Sequence, residues 1–384
     1  MSEQRLGSQR PAYRDRRITP EMVQRERARI GQVLSRPQPF LETATKDAIR
    51  HWAEGIGDRN PLWTDESYAA STPWGTVLAP PSMVLALDRN VVKARGFPGI
   101  HGWHLGSTFE WADVIRRDQS FTAETRVDEI REVSSAYAGG TAYDQVLLTE
   151  LRDRDSGDPS CSVRSVIRRF EREAGRSTRK YGARQKQVYT EEQLEEVDAA
   201  YRAERARGGA VLHFEEVQVG DSVPEIVRGP LTVMDCIAFV IGWGGAYVFA
   251  HGYAWDFLRA HPGAFPRNES NIPDSPERTH WSDAYAQAIG APAAFDYGPQ
   301  RIAWCTTLFT NWMGDAGTLR RLDIHLLRPN YHGDLVRIGA EVTAKDSASR
   351  GVELRFWARN QLGEVVSDGD ATVELPARPP QARG

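Results

Sequence analysis

Apolar positions along this chain change their period in the same order twice. Residues 44–58 (ATKDAIRHWAEGIGD) and 231–245 (LTVMDCIAFVIGWGG) place apolar side chains at helical spacing. Each is followed by a polar loop and then by a longer apolar stretch, TVLAPPSMVLALDRNVVKARG in the first half and DYGPQRIAWCTTLFTNWMGD in the second. Both stretches predict a helix apolar on most faces, which a sheet must cover. Beyond them the period drops to two. Leu322, Ile324 and Leu326 alternate with polar residues, as do Val352, Leu354 and Phe356, the pattern of half-buried antiparallel strands. Turn residues at Asp155-Ser156-Gly157-Asp158, His332-Gly333-Asp334 and Asn360-Gln361-Leu362-Gly363 separate the strands.

The two halves keep one register. Aligning Tyr68 with Tyr285 sets an offset of 217, which also pairs Ala69 with Ala286, Ala123 with Ala340 and Glu124 with Glu341. It places Trp63 opposite His280 and Pro81 opposite Gly298. The second half carries an insertion of about 30 residues before Pro276. Its aromatic residues (Tyr253, Trp255, Phe257, Phe265) and prolines (Pro262, Pro266, Pro273) predict an irregular lid or pocket wall. The expected division is an N-terminal arm at 1–20, a first domain at 21–172, a linker with a charged helix at 173–209, a second domain at 210–377 and a tail at 378–384. A further helix is expected over TPEMVQRERARIGQVL. The basic linker residues Arg176, Arg179, Lys180, Arg184 and Lys186 are read as a solvated connector.

Within the first half, Gly57-Asp58-Arg59-Asn60-Pro61-Leu62-Trp63 resembles the G-D-x-N-P-x-H signature of MaoC-like (R)-specific enoyl-CoA hydratases, with Trp63 in the histidine's place. The first half is similar to the FAS1-like dehydratase domain. The resemblance spans about residues 20–170 and 210–376. It implies an α+β tandem (double) hot-dog fold, with antiparallel sheets each wrapped around a central helix. It also implies reversible hydration of a 2-enoyl thioester carried by coenzyme A or an acyl carrier protein, no metal or redox cofactor, and a homodimer.

That chemistry needs a group to move protons and N–H donors where negative charge develops on the thioester oxygen. Trp63 moves no proton, and Pro81 has lost the N–H an oxyanion would use. The first half is therefore expected to shape a pocket, with Asp58 as a turn or cap residue. In the second half His280 stands at the catalytic-histidine position and Gly298 at the oxyanion-glycine position, 18 residues apart, as Trp63 and Pro81 are. The signature's aspartate position falls on Ser275. Asp274, or Glu277, is the expected carboxylate partner of His280, and Tyr297, Trp63 and Trp281 are the expected substrate-lining residues.

The remaining composition narrows the alternatives. A net charge of −4 over 384 residues gives no field for nucleic acid or an acidic membrane surface. No apolar run is long enough to span a bilayer, and the first residues lack a secretory h-region, so a cytoplasmic protein is expected. Cys161, Cys236 and Cys305 form no metal or disulfide spacing. Two rival functions share the substrate class: a hot-dog thioesterase, and a non-catalytic acyl-CoA-binding subunit.

Overall fold

The computed structural model describes residues 17–34, 40–88, 96–135, 140–171, 185–261, 265–289 and 291–379. Helix α1 (Pro20–Arg27) opens it, capped by the Thr19 hydroxyl. It is shorter than its apolar pattern suggests, because Gly31 turns with φ 81° and Ile30 and Val33 bridge to Val127 and Arg126. The first half continues with α2 (Lys46–Ile56), α3 (Glu66–Ala70) and α4 (Val84–Leu87), then strands β1 (His101–Trp111), β2 (Phe121–Ser135), β3 (Gly140–Asp153) and β4 (Pro159–Phe170). Helix α5 (Glu191–Ala203) follows, closed at its start by a Thr190–Gln193 capping box. The second half holds β5 (Ser222–Arg228), α6 (Val233–Trp243), α7 (His251–Ala260), α8 (Asp283–Ala288), α9 (Gly298–Met313), β6 (Thr318–Leu326), β7 (Val336–Asp346), β8 (Gly351–Asn360) and β9 (Val365–Glu374).

The internal repeat is visible in the caps. Thr45 and Thr232 cap α2 and α6 through their hydroxyls, and Gly57 and Gly244 end the same helices in left-handed conformation. Asp65 and Ser282 cap α3 and α8. The first two pairs are 187 positions apart and the third is 217, which locates the insertion between α6 and α8. The two copies meet at α2 and α6, where a glycine of each lies on the backbone of the other. A Cβ on Gly55 would come 2.7 Å from the Ala238 carbonyl oxygen, and one on Gly242 would come 2.7 Å from that of His51.

All nine strands form one antiparallel sheet in the order β2-β3-β4-β1-β6-β9-β8-β7-β5. The antiparallel strands of the two copies run on into one sheet, because β1 and β6 hydrogen-bond along Gly106–Glu110 and Arg321–His325. Apolar strand residues such as Phe109, Val163, Leu322, Leu354 and Phe356 are fully buried against the helices. Helix α9 is buried throughout except at Gly298 and Asn311. Its first-half counterpart is less regular: a 3-10 turn at Pro81–Met83 leads into α4, and Asp88 is extended. The rest of that predicted helix lies outside the described residues, as do Arg176, Arg179, Lys180 and Arg184. Lys186 is described and pairs with Asp283 at 2.5 Å.

Candidate active site

Ser275 starts the local structure that carries the candidate histidine. Its hydroxyl accepts from the Glu277 amide (3.1 Å) and donates to the Tyr247 carbonyl, and Pro276 begins a 3-10 turn that ends at His280. The first half builds the same turn from Asp58, which accepts from the Asn60 amide (3.0 Å) before Pro61–Trp63. Serine thus does the turn-forming work of the signature's aspartate without its charge.

The imidazole of His280 sits against the start of α9. Its ring stacks on that of Tyr297, the residue preceding Gly298, with centroids 3.7 Å apart, and meets Phe295 edge-on. Nδ1 donates to the Phe295 carbonyl at 2.8 Å. That bond fixes the neutral tautomer with its lone pair on Nε2, for which the described residues supply no hydrogen-bond partner. Burial pushes the imidazole down to about 4, against the opposing pull of the Phe295 carbonyl and the nearby Asp296 carboxylate. His280 is thus a neutral proton acceptor at pH 7. His332 donates from Nε2 to the His280 carbonyl (2.9 Å) and braces the turn from behind.

Gly298 is the first residue of a 16-residue helix, whose early N–H groups and dipole favour a developing anion. The position has little room. A Cβ there would lie 2.9 Å from Leu326 Cδ1 and 3.4 Å from His104 Nδ1.

Neither expected carboxylate reaches His280. Glu277 is buried, and its Oε1 accepts from the Ala246 (2.6 Å) and Tyr247 amides while Oε2 accepts from the Tyr297 hydroxyl at 2.9 Å. It anchors the insertion's entry and holds the ring that backs His280. Asp274 faces Arg278 (3.4 Å) and accepts from the Ser275 amide. The carboxylate that does influence His280 is Asp296, which the sequence reading missed. It is held in a buried cluster by Arg301 (2.7 and 2.5 Å) and by the Asn330 amide and side chain (3.0 and 2.9 Å). The repeat held a signal for it: at the shared offset the first half has Ala79 and Val84 where Asp296 and Arg301 stand.

The expected lining residues divide. Tyr297 is 3% exposed and packs among Phe239, Trp243 and His280, so it positions the histidine. Trp281 is half-buried directly after His280. Trp63 is elsewhere. With Trp74, Trp111, Pro81, Met313 and Leu319 it lines a cavity of about 480 Å³, its open mouth included, beside the last turn of α9. That end lies about 24 Å from Gly298 at the usual helical rise. Asp58 is buried against α9, accepting from Thr307 at 3.2 Å, with its pKa raised by burial. Among the described residues no cluster of His, Cys, Asp and Glu could hold a metal ion, and no helix is long and apolar enough to cross a membrane.

Residues 29–156 match the family model of the FAS1-like, dehydratase domain region. A probable enoyl-CoA hydratase alpha subunit of Thermomonospora curvata is 40% identical over 62 residues, 16% of this chain and 19% of that protein. A UPF0336 protein of Streptomyces avermitilis is 34% identical over 76 residues, 20% of this chain and 47% of its own length. The chain therefore spans less than half of either relative. Among solved structures, a MaoC-like dehydratase superposes with a TM-score of 0.64 at 16% identity, covering 91% of this chain and 99% of its own. A MaoC domain protein of Chloroflexus aurantiacus superposes at 0.57 with 13% identity, covering 91% and 96%. A double-hotdog-fold protein of Mycobacterium tuberculosis superposes at 0.51 with 13% identity, covering 90% and 96%. Residues 29–156 are thus similar to the FAS1-like dehydratase region, and the chain that carries them has the fold of the MaoC-like, double hot-dog proteins.

Proposed function

We propose that the chain is a hydro-lyase that adds water reversibly to a 2-enoyl thioester, with the chemistry in its second half. The observation that carries this reading is the neutral His280, its Nδ1 fixed and its Nε2 without a protein partner, held at the start of the helix that begins with Gly298. In hydration, Nε2 takes a proton from water as the water oxygen bonds to the β-carbon. The π electrons move to the thioester oxygen, where the Gly298 N–H and the α9 dipole stabilise the enolate. Nε2 then returns the proton to the α-carbon, leaving a 3-hydroxyacyl thioester and a neutral histidine. No metal or redox cofactor is needed for this balance. Trp281 would wall the acyl group and Tyr297 would hold His280 in place. The two domains expected at 21–172 and 210–377 would then divide labour, one shaping and one reacting. Three buried free cysteines fit a reducing, cytoplasmic setting, and a homodimer is the assembly we favour.

A second reading has its own support. Asp274 and Glu277 are both engaged away from His280, which favours an acyl-thioester-binding subunit without turnover. Incubation with linear and cyclic 2-enoyl-CoA esters separates the possibilities. Loss of the enoyl absorbance without free thiol is the hydratase result. Release of thiol marks a thioesterase, and binding with no change in absorbance marks the binding subunit.

A further inference from the structure

The offset that pairs Trp63 with His280 and Pro81 with Gly298 makes the cavity beside the last turn of α9 the first copy's counterpart of the reacting site. Trp63 and Pro81 cannot carry that site's chemistry, yet the space between them stays open and is walled by three indoles, Trp63, Trp74 and Trp111. Much of the polarity around it is already engaged. Trp74 and Trp111 give their N–H groups to the Asp315 and Pro81 carbonyls, at 2.6 and 3.1 Å. Asn60 accepts from the Leu62 amide (3.0 Å), and Thr310 donates to the Thr307 carbonyl (3.2 Å). These groups therefore offer a ligand mainly carbon.

Asp315 is different. It lines the same cavity two residues beyond α9 and is 3% exposed. Its Oδ2 accepts from the Tyr68 hydroxyl at 2.5 Å, whereas Oδ1 is buried without a hydrogen-bond partner among the described residues. Burial raises the pKa of this carboxyl, and among the described residues only the Tyr68 hydroxyl opposes that rise, so no cationic side chain answers the charge. Trp63 Nε1 also lacks a hydrogen-bond partner, but it lies close enough to the buried Asp58 carboxylate to favour its charged form. The other lining carboxylate, Asp113, is exposed and answered by Arg116 at 2.7 Å, whose guanidinium lies 5.8 Å from the centre of the Trp74 ring.

A buried carboxylate oxygen without a partner is costly until a donor reaches it, and indole rings attract cations. We propose that the cavity binds a compact organic cation: a primary ammonium, donating to Asp315 Oδ1, on a hydrocarbon body of about one ring that packs against the three indoles. The opening, about 480 Å³ with its mouth, admits a body of that size. Gly298 lies at the other end of α9, so this is a second site, and its assignment is independent of the chemistry given to His280.

The test titrates the full-length protein calorimetrically with three probes of similar shape: 2-phenylethylammonium, 2-phenylethanol and phenylacetate. The ammonium is expected to bind, the alcohol at least about tenfold more weakly, and phenylacetate not at all up to about 10 mM. Asp315→Asn can still accept from Tyr68 but has lost the charge, and it should weaken the ammonium at least about tenfold. Val114→Phe, at a lining position away from the carboxylate, takes up cavity space and should weaken the ammonium and the alcohol alike. Circular dichroism identifies the variants that fold. An ammonium that fails to bind at about 10 mM, or an alcohol or phenylacetate that binds as tightly, would overturn the proposal. So would undiminished ammonium binding by folded Asp315→Asn or Val114→Phe.

Discussion

A histidine that gives one ring nitrogen to a backbone carbonyl has one left for chemistry, and at His280 that nitrogen is Nε2. Because burial lowers its pKa to about 4, the proton-accepting form persists well below neutrality. The acid limb of kcat/KM is accordingly expected near pH 4; a limb near 6.5 would show an imidazole in ordinary solvent. The same shift acts on stability. A folded-state pKa below the unfolded one favours the fold above pH 6.5 and withdraws that contribution as the pH falls towards 4, which urea titration across this range can follow. In the first half, Asp58 is buried with its pKa raised, so its charged form is costly. Asp58→Asn keeps the turn and removes the charge. It should raise stability by about 1 kcal/mol with hydration unchanged. His280 and Gly298 were legible in the sequence because the repeat fixes backbone position. Their partners were not, because spacing does not say where a side chain points: Glu277 turns to the Ala246 and Tyr247 amides, and Asp296 becomes a neighbour only through the fold.

Among the elements, the turn that bears His280 depends on Glu277. Glu277→Ala would leave two backbone N–H groups and the Tyr297 hydroxyl without their buried acceptor. A loss of about 3 kcal/mol is expected in urea denaturation, with a smaller loss for Glu277→Gln, which keeps one acceptor oxygen. Helix starts are set by Thr45, Thr232, Asp65 and Ser282, whose side chains accept the first free amide hydrogens. The helix within the insertion was not legible in the sequence. The insertion's prolines suggested an irregular segment, yet His251–Ala260 is proline-free and helical. The first half's central helix is interrupted at Asp88, where the backbone becomes extended, a break its apolar run did not signal.

At the scale of the whole molecule, two copies of one unit are joined by the β1–β6 seam and the α2–α6 crossing. The crossing is close enough to require glycine on both sides. Gly242→Ala would place a methyl 2.7 Å from the His51 carbonyl oxygen and 3.0 Å from Trp52 Cα, neither of which can yield easily. It should lower the melting temperature even though alanine favours a helix by up to ~1 kcal/mol. Gly252→Ala on α7, with open space around it, should be neutral or stabilising in the same melt. The repeat was legible from register alone. The single nine-stranded sheet was not, because strand periodicity says which residues face inward and leaves the neighbouring strand open.

The most direct test of the central claim, that the second copy reacts and the first does not, is to follow 2-enoyl-CoA hydration with His280→Ala and Asp58→Ala side by side. The account predicts a loss of about 10²–10⁴-fold for His280→Ala and, among the Asp58→Ala molecules that fold, turnover near that of wild type. Activity that survives the change at His280, or that vanishes in folded Asp58→Ala, would contradict it.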